Sequence, residues 1–226
     1  MSRCAVVRFV FVLLVLAVAG LLTCGCNVAS AVAYVATPNP VVEAEYELQD
    51  VPTVVFVDDR RNRVNPVRFR RTIADVASED LLAEELVTDV ISPRDATAAA
   101  RQLDRGAQAA GVGAVGKLVG ADQVIYIEML QFTLSRDGIS PDPYARCRIR
   151  VIDVANRVRR FPAADKGDSD AYMLEISLPA EKSQGLTDSR TRQQLGEMLS
   201  DEIGRRVAQL FYDHEIPAVG GNLLFR

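Results

Sequence analysis

Asp165, Asp168 and Asp170 share one loop with Gly167 and Ser169, and clustered carboxylates are the chemistry that suits a hard cation. The pattern fails at Tyr172 and Met173, where a calcium loop would want an oxygen ligand and a glycine, so the loop reads as a solvated turn. Gly111, Gly113 and Gly116 match G-x-G-x-x-G, and 111–117 approaches a phosphate loop. Those patterns work only where a strand delivers the chain into a glycine turn that opens a helix. Here an Ala-rich helical segment comes first and the strand comes after, and Leu118 stands where a magnesium-binding hydroxyl is needed. Asp58-Asp59 would serve as an acid–base pair, but Arg60-Arg61 follows at once and a charge-paired turn is the simpler reading. His214, the single histidine, has Asp213 and Glu215 beside it and no nucleophile. No catalytic residue, metal site or cofactor is expected.

Arg60, Arg61, Arg63, Arg68, Arg70 and Arg71 are the densest basic stretch. Guanidinium groups prefer flat anionic partners that they bond in pairs, so these six are candidates for contact with lipid headgroups or an acidic partner, against a plain solvated face. The chain as a whole is acidic, with a formal net charge of −4 over 226 residues, so it lacks a nucleic-acid footprint.

The first 26 residues carry Arg3 and Arg8, then an apolar run from Phe9 to Leu22, then Leu21-Leu22-Thr23-Cys24-Gly25-Cys26. Positive start, apolar middle and small-residue end make a secretory signal. The run is 14 residues long, short of the roughly 20 that a spanning helix wants. Its end resembles a bacterial lipobox: Cys26 follows the preferred glycine and is the expected site of lipidation, with Cys24 as the alternative register. Outside this segment only Cys4, within the leader, and Cys147 remain, so no disulfide framework is expected. An acyl anchor of two or more chains would hold the protein at a bilayer almost permanently.

After the leader, residues 27–50 are Ala- and Val-rich, contain Pro38 and Pro40, and read as a tether, part of which could pack on the domain. One domain is expected over 51–214, with a tail at 215–226. Thr53–Val57 is a continuous β-branched and aromatic run, hence a buried strand. Asn65-Pro66 should cap a helix whose stripe is Ile73, Val76, Ala77, Leu82 and Leu86. A brief strand lies within Thr88–Ile91, and Ser92-Pro93-Arg94-Asp95 opens a second helix. A short third helix over Val112–Val119 stops at Gly120. Asp122–Leu134 and Ala145–Val154 should pair as a hairpin. Strict alternation puts Met129, Gln131 and Thr133 with Arg146, Arg148 and Arg150 on the wet face. It puts Val124, Tyr126, Leu130 and Phe132 with Cys147, Ile149 and Val151 inside, where Glu128 is left as an oddity expected to find an arginine. Val158–Phe161 and Ala171–Leu178 supply edge strands, and Thr187–Tyr212 the longest helix, with Leu195, Met198, Leu199, Ile203, Val207, Leu210 and Phe211 in three–four spacing. The order predicts an α+β fold: a mixed, mostly antiparallel sheet with helices packed mainly on one face.

The leader, Val54–Asp58, the cap at Ser92-Pro93, the Gly120-Ala121-Asp122 step into Gln123–Tyr126 and the strand ending Val151–Val154 resemble envelope lipoproteins with a TolB amino-terminal-like or CsgG-like domain. The resemblance implies a non-catalytic protein, lipid-anchored and facing the periplasm, that acts in assembly, transport or regulation through contact with another envelope protein. A homo-oligomer is compatible with it, and it leaves inner and outer membrane undecided. In it Gly120, Ala121 and Asp122 are a structural step, not an active site. The alternative class is a periplasmic small-ligand sensor or carrier.

Overall fold

The structure, a computed structural model, describes residues 40–104, 111–163, 170–179 and 188–216. Cys24 and Cys26 of the leader, most of the expected tether, Asp165 and Asp168 and most of the tail lie outside these residues. The chain divides into two compact units. The larger is 43–214, and of the other the structure describes residues 40–42 and 215–216. In the smaller unit the Ile216 N–H donates to the Pro40 carbonyl at 2.9 Å, beside the two-residue strand β1 (Val41–Val42).

In the larger unit the elements run β2 (Thr53–Asp58), α1 (Arg68–Ala83), β3 (Val90–Ile91), α2 (Pro93–Leu103), α3 (Val112–Val119), β4 (Gln123–Thr133), β5 (Tyr144–Asp153), β6 (Val158–Phe161), β7 (Tyr172–Ser177) and α4 (Ser189–Ala208). A single 3₁₀ turn (Gln209–Phe211) follows α4, and β8 (His214–Glu215) starts at the last residue of this unit. The sheet order is β3-β2-β4-β5, with β6 and β7 sharing the outer edge of β5. β2 pairs in parallel with β3 and β4; every other pairing is antiparallel. The α+β class with a mixed, mostly antiparallel sheet is therefore the observed one.

One face of the sheet carries the main core. Val55, Ile125, Ile127, Met129, Cys147, Ile149 and Val151 meet α1 and α4 through Phe69, Ile73, Ala77, Leu81, Leu199, Ile203 and Val207, all buried. The other face is covered only at its parallel end, where Val54, Phe56, Val124 and Tyr126 meet Ala96, Ala99 and Val115 of α2 and α3. Residues 43–50 of the stretch read as tether belong to this unit. The N–H groups of Glu45 and Tyr46 donate to the Leu210 carbonyl, Leu48 is buried, and the Tyr46 ring stands 5.6 Å from that of Phe161.

Local differences from the expected elements have simple causes. α1 starts at Arg68 rather than at Pro66, and Asn65 does not cap it: the first free N–H groups, of Phe69 and Arg70, are taken by the Pro66 and Val67 carbonyls at 3.0 and 3.2 Å. Its inward residue is Leu81, while Leu82 is exposed; the helix closes at Ala83, and Leu86 packs on the core from beyond its end. Met198 is likewise exposed, one position off the buried line Leu199, Ile203, Val207. Ser92 does cap α2, accepting the Arg94 N–H, and Gly120 ends α3 at φ +77°, the left-handed conformation that glycine adopts freely.

The close approach of α1 and α4 depends on Gly204. A Cβ there would sit 2.7 Å from the Ile73 carbonyl oxygen and 2.8 Å from Val76 Cβ, and backbone cannot yield as a side chain can. Gly204→Ala should therefore overpack the main core and cost about 1–3 kcal/mol. A thermal melt should show this as a fall of several degrees; an unchanged midpoint would mean that the helices are not in this contact.

Candidate functional site

The arginines of β5 define the uncovered half of the sheet's second face, and the register shows why the expected alternation fails. From Gln123 to Met129, β4 pairs so that Ile125 faces Val151, Ile127 faces Ile149 and Met129 faces Cys147, all in the core. A β-bulge between Met129 and Gln131 inserts one residue, after which Gln131 faces Arg146 and Phe132 faces Ala145. An extra residue swaps the two faces of everything on one side of it. Expectation and structure thus agree beyond the bulge and disagree before it. Met129 is buried, Tyr126 and Val124 belong to the opposite face from Cys147, and Glu128 is not inside.

Glu128 lies on the arginine face. Its two carboxylate oxygens accept from Arg148 at 2.7 Å and Arg150 at 3.4 Å. Asp170 lies 3.9 Å from Arg148 and 3.4 Å from Arg150, and Glu175 lies 3.2 Å from Arg146. The Arg150 guanidinium stands 5.6 Å over the Tyr126 ring, and the Tyr126 hydroxyl donates to Asp58 at 2.7 Å. Asp58 in turn pairs with Arg60 at 2.9 Å. Burial, reinforced by the bond to Asp58, raises the Tyr126 phenol above its ordinary value, so it stays a donor. The bond to Glu128 raises Arg148 further. A continuous line of alternating charge therefore runs from β2 across β4 and β5 to the segment before β7.

The neighbouring acids Asp59 and Asp153 are also engaged. Asp59 accepts the N–H groups of Arg63 and Val64 at 2.7 and 2.8 Å and lies 3.5 Å from Arg70, so it ties the β2–α1 loop down. The Asp58-Asp59 turn is charge-paired, though Asp59 finds Arg70 across the loop. Asp153 accepts from the Asn156 amide at 2.9 Å and pairs with Arg160 at 2.6 Å; those bonds, Asn156 first, hold its carboxyl down to about 2. Cys147 is fully buried, and burial pushes its thiol up to about 12. His214 Nδ1 lies 3.2 Å from the Tyr212 carbonyl, and Asp213 accepts the Ala44 N–H. Asp170, the one described member of the loop triplet, faces arginines, and the described residues hold no cluster able to bind a metal.

The six arginines of the basic stretch lie in several different surroundings. Arg60 and Arg70 are tied to Asp58 and Asp59, and Arg68 lies over the Phe69 ring and 3.8 Å from Glu197. Arg61 is exposed, and Arg63 lines an open depression with Asn65 and Phe132. Only Arg70 and Arg71 enter the cleft between α1 and α2, where they meet Arg94 and Arg101. Composition could not pair these four, although Arg94, Thr97, Ala98 and Arg101 recur at the spacing of one helix face.

Gly116, singled out by the glycine pattern, has a packing reason: a Cβ there would lie 2.6 Å from Val154 and 2.7 Å from Val124. Gly111 merely precedes α3, which leads into β4.

No protein-family model matches the chain and no curated protein matches it. Among solved structures it is similar to the hypothetical protein CT253 from Chlamydia trachomatis, at 18% identity over 71% of this chain and 97% of that one, with a TM-score of 0.42. It is similar to the PelC dodecamer from Paraburkholderia phytofirmans at 14% identity, 77% and 99% coverage and a TM-score of 0.40. It is also similar to lipoprotein GNA1162 from Neisseria meningitidis at 15% identity, 69% and 94% coverage and a TM-score of 0.33. None of these three is described as a TolB or CsgG protein.

Two outcomes follow, one from the charge line and one from Asp153. Glu128→Gln leaves Arg148 and Arg150 side by side without their shared anion and should cost about 1–2 kcal/mol, read as a lower urea midpoint at unchanged slope. A neutral result would mean that solvent screens the pairing so that it adds nothing net. Asp153 is held below the ordinary carboxylate value of about 3.9, so its contribution is complete above that pH and is lost as pH falls through about 2. Asp153→Asn should therefore flatten the fall in melting temperature between pH 5 and pH 2.

Proposed function

We propose that this chain is a lipid-anchored protein of the bacterial cell envelope, on the periplasmic side, that works by binding another envelope component and not by catalysis. The anchor rests on the leader and its terminal Cys26. The described residues contain no helix long and apolar enough to cross a membrane. The observation that supports the non-catalytic reading is the engagement of the acids on the sheet and its adjoining loops. Asp58, Asp59, Glu128 and Asp153 each hold arginine or backbone partners, and burial keeps the Cys147 thiol protonated. A general base must be free to take a proton, and a nucleophilic cysteine must reach its thiolate. The TolB-like and CsgG-like resemblance supports the same reading through its sequence pattern.

Two measurements test it. The mass of the membrane-extracted chain should show cleavage before Cys26 and added acyl chains, and Cys26→Ala should release the protein from the membrane fraction. A mature mass without fatty chains, or release only by Cys24→Ala, would overturn the assignment.

A further inference from the structure

The cleft between α1 and α2 is lined by Val57 at the end of β2, by Arg70, Arg71 and Ala74 of α1, and by Arg94, Thr97 and Arg101 among others of α2; no carboxylate lines it. Four arginines thus line one cleft of an acidic chain. Arg70 is positioned from behind by buried Asp59 and by Asn62, which accepts from it at 2.8 Å. The side chains of Arg71, Arg94 and Arg101 form no ion pair or hydrogen bond among the described residues.

Topology explains the location. α1 leaves the end of β2 onto one face of the sheet, and α2 leaves the end of its parallel neighbour β3 onto the other. The crevice between strands whose helices diverge to opposite faces, at their carboxyl ends, is where open parallel sheets bind ligands. Both helices begin beside it; the start of α2 is capped by Ser92 and carries Asp95. The first turn of α1 makes this unusual. It has no side-chain cap and no acid, and instead holds Arg68, Arg70 and Arg71. Cations at the positive end of a helix are unfavourable. A bound anion removes that cost.

Size and charge narrow the ligand. The cleft measures about 190 Å³, below the roughly 300 Å³ where pockets for drug-sized molecules begin, so it takes a group and not a whole metabolite. Four guanidiniums exceed what one carboxylate needs, and they suit a tetrahedral oxyanion that accepts several charge-assisted hydrogen bonds at once. We propose that the α1–α2 cleft is a binding site for a phosphate group, with Arg71, Arg94 and Arg101 as its direct ligands and Arg70 as the residue set in place by Asp59. A phosphorylated soluble compound and a phospholipid headgroup present the same chemistry. The site does not depend on the anchor, because a chain without acyl groups carries the same cleft.

The test uses the full chain in neutral detergent, melted with inorganic phosphate in one arm and with phosphatidylglycerol doped into the micelles in the other. At a hundredfold excess over Kd the melting temperature should rise by about 5 °C or more. Phosphate also stabilises proteins nonspecifically, so each arm is repeated with three variants. Arg71→Glu and Arg94→Glu alter exposed, unpaired side chains and should each raise the Kd about tenfold or more. Arg157→Glu, exposed and away from the cleft, should leave it unchanged. A response confined to phosphate identifies a soluble ligand, and one confined to the doped micelles identifies a headgroup. No saturable response in either arm, or a response that survives both cleft variants, overturns the proposal.

Discussion

The long antiparallel pairing of β4 with β5 is the constraint on which the rest depends. It extends from Gln123–Asp153 to Thr133–Tyr144, and the bulge after Met129 is its one register shift. Because β-strand side chains alternate, this ladder decides at every step which residue enters the main core and which joins the charge line. The bulge lets a single strand serve both ends: Ile125, Ile127 and Met129 fill the core on one side of it, and Phe132 fills it on the other, stacked 5.8 Å from Phe69. Without the extra residue, either the aliphatic half or Phe132 would face water.

Around that ladder the sheet has two characters. Its parallel end, β3-β2-β4, is covered on both faces, and β2 is almost wholly buried, as parallel strands are. Its antiparallel end is covered on one face, and there the open face is dressed with Glu128, Arg146, Arg148, Arg150 and Glu175. Charges paired in this way add little net stability at a half-exposed surface, but they keep the face soluble and discourage misregister. The parallel end leaves its charge unbalanced instead, in the cleft where α1 and α2 part. Positive charge is therefore neutralised where the sheet is structural and left open where two helices diverge.

Much of the fold was legible in the residues. The apolar run at Thr53–Val57, the Ser92-Pro93 start, the Gly120 stop and the two edge strands all appear where local chemistry placed them, because caps, turns and β-branched runs act over a few residues. The inward residue at the end of α1 was misread, since Leu81 and Leu82 differ by one position and only the partner helix chooses between them. The candidate site was less legible. Of six consecutive-looking arginines two line the cleft, and the other two that do come from a helix more than 20 residues further along the chain.

The sequence by itself determined the types and order of the elements between Thr53 and the long last helix, the acidic balance of the chain and the expectation of a lipid-modified cysteine, each carried by neighbouring residues. Only the tertiary structure decided the faces of β4, the partners of Glu128 and the convergence of Arg70, Arg71, Arg94 and Arg101. Those depend on strand register and on the divergence of helices from a shared sheet. Local propensity carries no information about either, because both are set by contacts between residues distant in the chain.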